Sequence, residues 1–359
     1  MAHKVIIIGG GYIGSELAQA LDPVAEVTLV EPRAAFVHVP ATIRAVALPQ
    51  VLDRAILPYD RLLGRGQVLR ARARAVGTFG VQLDDDRILP ADFVVVATGS
   101  GYAAPFKPAG DNIESLRGTS RSAHAALVAA NRVAIVGAGA VGIELAGEIK
   151  AAMPAKSVTL ISETAQLLPD YPARLGRELG RKLDLLGVEV IAGHRAERLS
   201  DMRAPFAGDL TLDDGRIVAA DLVFPVIGAR PVTDLFQTLP DARFAPDGRV
   251  LTDNWMRPSS LPNVFAAGDA AANGDAMTIV GATRQTPWLA RTLKALIAGR
   301  QLGQLPGYKP WHKPPILLPL GEYLGNSYLP VGVVGNGPTR LLKGRSLFIP
   351  KYRKQFGLN

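Results

Sequence analysis

The sequence predicts an α/β protein made of two similar parallel-sheet units and a small C-terminal region, and three features carry that expectation. The first is an internal near-repeat: Val5-Ile6-Ile7-Ile8-Gly9-Gly10-Gly11-Tyr12-Ile13-Gly14 is echoed by Val133-Ala134-Ile135-Val136-Gly137-Ala138-Gly139-Ala140-Val141-Gly142. The second is the shared continuation of the two copies. An alanine- and leucine-rich helical stretch, Ser15 to Leu21 or Ile143 to Ala152, leads to a second β-branched strand, Val27-Thr28-Leu29-Val30 or Val158-Thr159-Leu160-Ile161. Short apolar runs of this kind suit strands buried on both faces, so each copy reads as a β-α-β unit of the Rossmann-like, three-layer type. The third is the proline-rich stretch from Pro306 to Pro319, which marks a compositional boundary.

Between and beyond the two units the expected elements are short. Gln67 to Val76 is strand-like, with Arg70, Arg72 and Arg74 at alternate positions on what reads as a wet face. Phe93-Val94-Val95-Val96 ends in Ala97-Thr98-Gly99-Ser100, and Leu222 to Gly228 echoes it. Asn263 to Ala270 gives a further buried strand that breaks into a loop, and a helix is expected from about Thr283 to Ala298, ending at Gly299. Leu320 to Ile349 reads as short strands broken by glycines.

With 359 residues, 48% of them hydrophobic, the chain has ample material for more than one core. Its net charge of +8 is local, because residues 306–359 hold five Lys and three Arg against the single acid Glu322. Cysteine is absent, which excludes thiolate metal ligands and any route that passes electrons through a dithiol. The histidines His3, His38, His124, His194 and His312 show no metal-ligand spacing, and no Gly-x-Ser-x-Gly elbow occurs. No apolar run is long enough to span a bilayer and no secretory signal is visible, so a cytoplasmic protein is expected.

The glycine motifs indicate what the units bind. A dinucleotide diphosphate must approach backbone N–H groups at a helix N-terminus, where the dipole favours an anion and a side chain would intrude. In that arrangement Gly9 and Gly137 allow the tight turn, Gly11 and Gly139 admit the phosphates, and Gly14 and Gly142 let helix pack on strand. Glu31, at the end of the first unit's second strand, is placed to accept hydrogen bonds from an adenosine ribose. The matching place in the second unit holds Ser162 and then Glu163, with no arginine directly after to take a 2′-phosphate, so NADH is expected over NADPH.

In the order of Gly9 to Gly14, Thr98-Gly99, Gly137 to Gly142 and Ala267-Gly268-Asp269, the sequence resembles the two-dinucleotide flavoproteins of the pyridine nucleotide-disulfide oxidoreductase superfamily, over about residues 1–305. The resemblance implies a glutathione-reductase-like fold, with FAD on residues 1–104 and 224–305, NAD(P)H on the inserted residues 105–223, and residues 306–359 capping the flavin. It also implies that Gly268 and Asp269 bind the ribityl or diphosphate region and that Thr98 and Gly99 close over the FAD. A nearer likeness is to the apoptosis-inducing-factor-like and ferroptosis-suppressor-like quinone reductases, and more distantly to type II NADH dehydrogenases. It rests on Phe36-Val37-His38 with Arg44, Gly142-Ile143-Glu144 with Glu148-Ile149-Lys150, Tyr308-Lys309-Pro310, and Lys343-Gly344-Arg345-Ser346-Leu347-Phe348.

That likeness implies an FAD-dependent NAD(P)H oxidoreductase passing two electrons to a quinone-type acceptor. Glu144 would sit at the nicotinamide ribose or amide, and Lys309 near the flavin, with Lys313 its rival. Arg44 would contact the cofactor. Gln285, with Thr286 and Trp288, would start a helix pointing at the flavin's pyrimidine edge. Trp311 and Phe348 are either core or walls of an apolar acceptor tunnel. Two alternatives stand beside this reading: a reductase of a small acidic iron-sulfur protein, and a redox-gated FAD- and NADH-binding protein with a basic contact tail. No nucleic-acid partner is expected from the main reading. The tail Leu347 to Phe356 interleaves aromatics with cations, a pattern that suits peripheral contact with an anionic membrane, a homodimer contact, or packing onto the first unit.

Overall fold

A computed structural model describes residues 2–311 and 313–358, so His312 lies outside the described residues, as do Met1 and Asn359. The chain opens with strand β1 (Lys4–Ile8), helix α1 (Tyr12–Leu21) and strand β2 (Glu26–Val30), then helix α2 (Val39–Ala47) and strands β3 (Gln67–Leu69) and β4 (Phe93–Val96). Helix α3 (Ile113–Ala129) leads to strand β5 (Arg132–Val136), helix α4 (Ala140–Ala152), strand β6 (Ser157–Ser162), helix α5 (Ala173–Leu185) and strands β7 (Val188–Ala192) and β8 (Leu222–Pro225). Strand β9 (Val264–Ala266) and helix α6 (Ile279–Ile297) come next. Strands β10 (Ile316–Leu320), β11 (Leu324–Leu329) and β12 (Gly332–Val334) and helix α7 (Ile349–Gln355) close the chain.

Two parallel sheets result. In the first the order is β9-β4-β1-β2-β3, and in the second β7-β6-β5-β8. The near-repeat is reproduced in register: Val5 pairs with Val27 and Ile7 with Leu29, as Val133 pairs with Val158 and Ile135 with Leu160. Alternate residues of these strands face opposite layers, so Val5 and Ile7 enter one apolar cluster while Ile6 and Ile8 enter another. The stretch expected as one strand from Gln67 to Val76 is broken: only Gln67–Leu69 and Ala73–Gly77 are strands, so Arg70 and Arg72 lie between them and Arg74 in the second, and all three arginines are exposed.

Two expected boundaries move. The boundary at residues 223/224 cuts strand β8, whose Phe224 and Pro225 pair with Ile135 and Val136, so the second sheet extends through Pro225. Helix α6 starts at Ile279 rather than Thr283, because the Thr278 hydroxyl accepts a hydrogen bond from Gly281 N at 3.1 Å and caps it. The β-branched wording Thr278-Ile279-Val280 conceals that start.

The C-terminal residues join both units. Strands β10 to β12 form an antiparallel sheet against α4, where a Cβ on Gly147 would fall 2.4 Å from Leu320 Cα; only glycine permits that approach. Helix α7 lies on the first unit instead. Phe356 is fully buried and stacks on Phe36 with ring centroids 4.9 Å apart, and Tyr352 packs edge-on against Tyr12. The tail's Leu347, Ile349, Tyr352 and Phe356 therefore face inward. Among the described residues no helix is long and apolar enough to cross a membrane.

Candidate active site

A cavity of about 340 Å³ lies where the two units and the C-terminal region meet. Its floor is the loop between β1 and α1. Gly9 has φ +101°, and a Cβ there would fall 2.4 Å from Ala97 O, so no other residue fits the turn. A Cβ on Gly14 would fall 1.8 Å from Gly9 O, whereas one on Gly11 would meet no atom within 4 Å. The first and third glycines are thus closed against protein, and the middle one opens onto space at a helix N-terminus. Gly137, Gly142 and Gly139 repeat this: 2.3 Å from Val226 O, 1.9 Å from Gly137 O, and nothing within 4 Å. Two open cradles of this shape fit two dinucleotide diphosphates.

The other expected first-unit residues divide. Thr98 and Gly99 line the cavity, with Thr98 Oγ1 donating to Val232 O at 2.6 Å. Gly268 and Asp269 also line it, and Asp269 Oδ2 accepts from Ser100 Oγ at 2.5 Å and from Lys107 Nζ at 3.4 Å. Glu31 does not line it. Its buried carboxylate accepts from Gly10 N at 2.7 Å and from Arg33 Nε at 2.8 Å, and Arg33 is the side chain that reaches the cavity wall. Tyr59, another lining residue, donates to Gly10 O at 2.8 Å. Sequence reading missed Arg33, Tyr59 and Lys107; the spacing Glu31-x-Arg33 is the one local signal that could have found any of them.

Gln285 is buried behind the cavity, where its Oε1 accepts from Gly268 N at 2.8 Å and braces the turn that carries Asp269. Thr286 and Trp288 are likewise buried within α6. Thr278, Ile279 and Val280, at the true start of α6, line the cavity and direct the positive end of that helix toward it. Trp311 is not among the lining residues, and Phe348 is.

From the second unit, Ala140, Val141 and Glu144 line the same cavity as Gly9 to Ile13. Glu144 is buried, and its Oε1 accepts from Lys343 Nζ at 2.6 Å; that ammonium also donates to Leu317 O at 3.0 Å. Burial pushes the Glu144 carboxyl up and Lys343 pulls it down. Glu163, by contrast, is exposed just beyond β6.

Two expectations are corrected by these positions. Lys309 is exposed and outside the cavity, with its carbonyl accepting from Arg284 Nη2 at 3.1 Å, and Lys313 is exposed as well. Lys343 and Lys107 are the ammonium groups at the cavity wall. Arg44 does not line the cavity either, because its guanidinium grips both oxygens of Glu148 at 2.8–2.9 Å.

The roof is apolar. It comprises Pro315, Ile316, Leu317 and Phe348, facing Phe36, Val39, Pro40 and Ile43. Phe348 and the preceding Leu347 both have left-handed backbone, φ +61° and +50°. That turn is held by His38, whose Nε2 donates to Leu347 O while its Nδ1 accepts from Tyr12 Oη at 3.0 Å.

Comparison with known proteins agrees with this architecture. Family profiles described as Pyridine nucleotide-disulphide oxidoreductase match residues 4–53 and 59–286. Apoptosis-inducing factor homolog B of Dictyostelium discoideum is 27% identical, over 98% of this chain and 96% of its own length. Ferroptosis suppressor protein 1 of Xenopus laevis is 26% identical, over 99% of this chain and 96% of its own. The structure of NDH2 from Plasmodium falciparum in complex with NADH has the same fold, with a TM-score of 0.77 at 14% identity over 99% of this chain and 98% of that one. Paired cradles, a shared cavity and a profile match across most of the length lead to one assignment: the chain belongs to the pyridine nucleotide-disulphide oxidoreductase family, a family of NAD(P)H-dependent flavoprotein oxidoreductases.

Proposed function

We propose that this protein oxidises NADH through FAD held in the first cradle and delivers two electrons to an apolar, quinone-type acceptor. The observation that carries the reading is one cavity walled by both units, with Gly11 of the first cradle on one side and Val141 and Glu144, on the helix that leaves the second cradle, on the other. FAD, when bound, supplies the chemistry of taking a hydride and releasing two electrons. The balance is NADH, one proton and a quinone giving NAD⁺ and the quinol.

The chain's own groups have distinct tasks in that scheme. Gly11 at the N-terminus of α1 would receive the FAD diphosphate, with Asp269, Ser100 and Lys107 bordering the flavin's ribityl chain. The start of α6 favours negative charge on the facing ring edge. Gly139 and the head of α4 would take the NADH diphosphate. Glu163 at the end of β6 disfavours a 2′-phosphate there by like-charge repulsion, which supports NADH over NADPH. Lys343, kept in place by Glu144 and Leu317 O, offers an ammonium that stabilises negative charge developing on the acceptor oxygen. The apolar roof from Pro315 to Leu317 with Phe348 suits an apolar ring.

The acceptor class brings a lipid surface into the scheme. With the tail's aromatics buried, contact with an anionic membrane would fall to the exposed Leu341 and Leu342, which directly precede Lys343, and to the cations of the C-terminal region. Co-sedimentation with anionic against neutral vesicles checks this contact.

The principal experiment is spectroscopic. The purified protein is expected to be yellow, to bleach with NADH in the absence of air, and to regain its colour with a soluble quinone analogue. Reduction of a ferredoxin but of no quinone would transfer the acceptor role to an iron-sulfur protein. A colourless protein that cannot be loaded with FAD would end the reading.

A further inference from the structure

Helix α4 carries two buried carboxylates one turn apart, Glu144 and Glu148, each 4% exposed. Like charges at that spacing repel, and removing both from water adds to the cost, so the helix can hold both ionised only with a cation for each. The two cations come from different parts of the chain. Lys343, in the helical stretch Arg340–Gly344 that follows β12, binds Glu144 at 2.6 Å, and Arg44, from α2 of the first unit, binds Glu148 through Nε and Nη2. The groups bearing on Glu144 are Lys343, Glu148 and Arg44; those bearing on Glu148 are Arg44 and Lys343.

Arg44's grip decides how the four groups pair. It satisfies both Glu148 oxygens, so Glu148 does not compete with Glu144 for Lys343. Without Arg44, one ammonium would face two buried carboxylates and be drawn between them.

We infer that Arg44 and Glu148 are positioning residues for the Glu144–Lys343 pair: Arg44 keeps Glu148 from competing for Lys343, and the two together set the proton affinity of Glu144, the carboxylate that keeps Lys343 at the cavity wall. Neither touches the cavity, and their action is through Glu144. The role assigned to Lys343 rests on the function proposed above, whereas the control of Glu144 by the Arg44–Glu148 pair does not.

Burial raises both carboxyls, Glu148 pushes Glu144 further up, and Arg44 pulls it down. The two ends of one ion pair therefore act on Glu144 in opposite directions. Glu148→Gln, close in shape, leaves the Arg44 charge unopposed and lowers the proton affinity of Glu144. The acidic limb of NADH-driven quinone reduction is expected to move to lower pH by at least about half a unit, a threefold change in proton affinity. Arg44→Lys retains the charge and the wild-type midpoint.

A second readout uses the protein without cofactor. The infrared band of the protonated Glu144 carboxyl, assigned by its loss in Glu144→Gln, should titrate at lower pH in Glu148→Gln than in wild type. Coincident titrations of wild type and Glu148→Gln in this measurement would overturn the inference, as would an unshifted activity profile in an active enzyme. A wild type that binds no flavin would instead defeat the functional reading, and the infrared titration would still decide whether Arg44 and Glu148 govern Glu144.

Discussion

Lys343 Nζ and Glu144 Oε1 meet at 2.6 Å across 199 residues of sequence, joining a short helical stretch of the C-terminal region to the helix that leaves the second glycine cradle. Their contact brings the second unit, the cap and the cavity to one point. A buried pair of this kind adds little net stability over an apolar substitute, but losing one partner strands the other charge.

Lys343→Met should therefore cost about 3–5 kcal/mol in denaturant unfolding or force Glu144 to take up a proton. Quinone reduction should fall about a hundredfold, the scale of losing one charge-stabilising donor. Lys343→Arg should restore part of both. Lys309→Ala, at an exposed position outside the cavity, should leave quinone turnover unchanged, and steady-state kinetics on the three variants separates the two lysines.

The glycines of the first cradle should fail in different ways. Gly14→Ala places a methyl 1.8 Å from Gly9 O and is expected to destabilise the fold by about 1–3 kcal/mol or more. A Cβ at Gly11 meets no protein atom within 4 Å, so Gly11→Val should fold with ordinary circular dichroism yet lose its flavin. Absorbance at the flavin band measured beside thermal unfolding distinguishes the outcomes.

Acid stability should report on His38. Burial lowers its pKa to about 4 from 6.5, with Lys343 and Lys351 adding repulsion and the Leu347 hydrogen bond opposing. The unfolded chain takes up this proton near pH 6.5 and the folded one near 4, so stability falls as pH drops through that window. The part lost between pH 6.5 and 5 is about 2 kcal/mol. His38→Gln, which can keep both hydrogen bonds without titrating, should flatten the slope of unfolding free energy against pH.

Phe356→Ala should cost about 3–5 kcal/mol, since the ring is fully buried against Phe36. Binding to anionic vesicles should be unchanged when the folded fraction is held constant. Weaker vesicle binding at unaltered stability would return the tail to the lipid interface.

How much of the molecule was legible in the sequence depends on the range of the interactions. Gly9 to Gly14 and Gly137 to Gly142 encode turn, cradle and helix start within ten residues, so the two β-α-β units could be read directly. Lys343 could not be preferred to Lys309, because its burial depends on Glu144 and Leu317, which no local pattern links to it. The fate of Arg44 likewise depends on Glu148, 104 residues away. Gln285 stood out by its place after Asp269, yet it braces Gly268 from behind instead of facing the cavity, a distinction of depth along α6 that spacing does not carry. The tail's alternating aromatics and cations fit a lipid face as well as a protein face until Phe36 and Tyr12 are seen beneath them.

The cavity roof, Pro315 to Leu317 with Phe348, comes from the last stretch of the chain, long after both floors have been made. During synthesis the first cradle can leave the ribosome and fold while nothing yet covers it. A bulky cofactor would then meet its cradle before the apolar cover exists, and the final strands would add that cover over it.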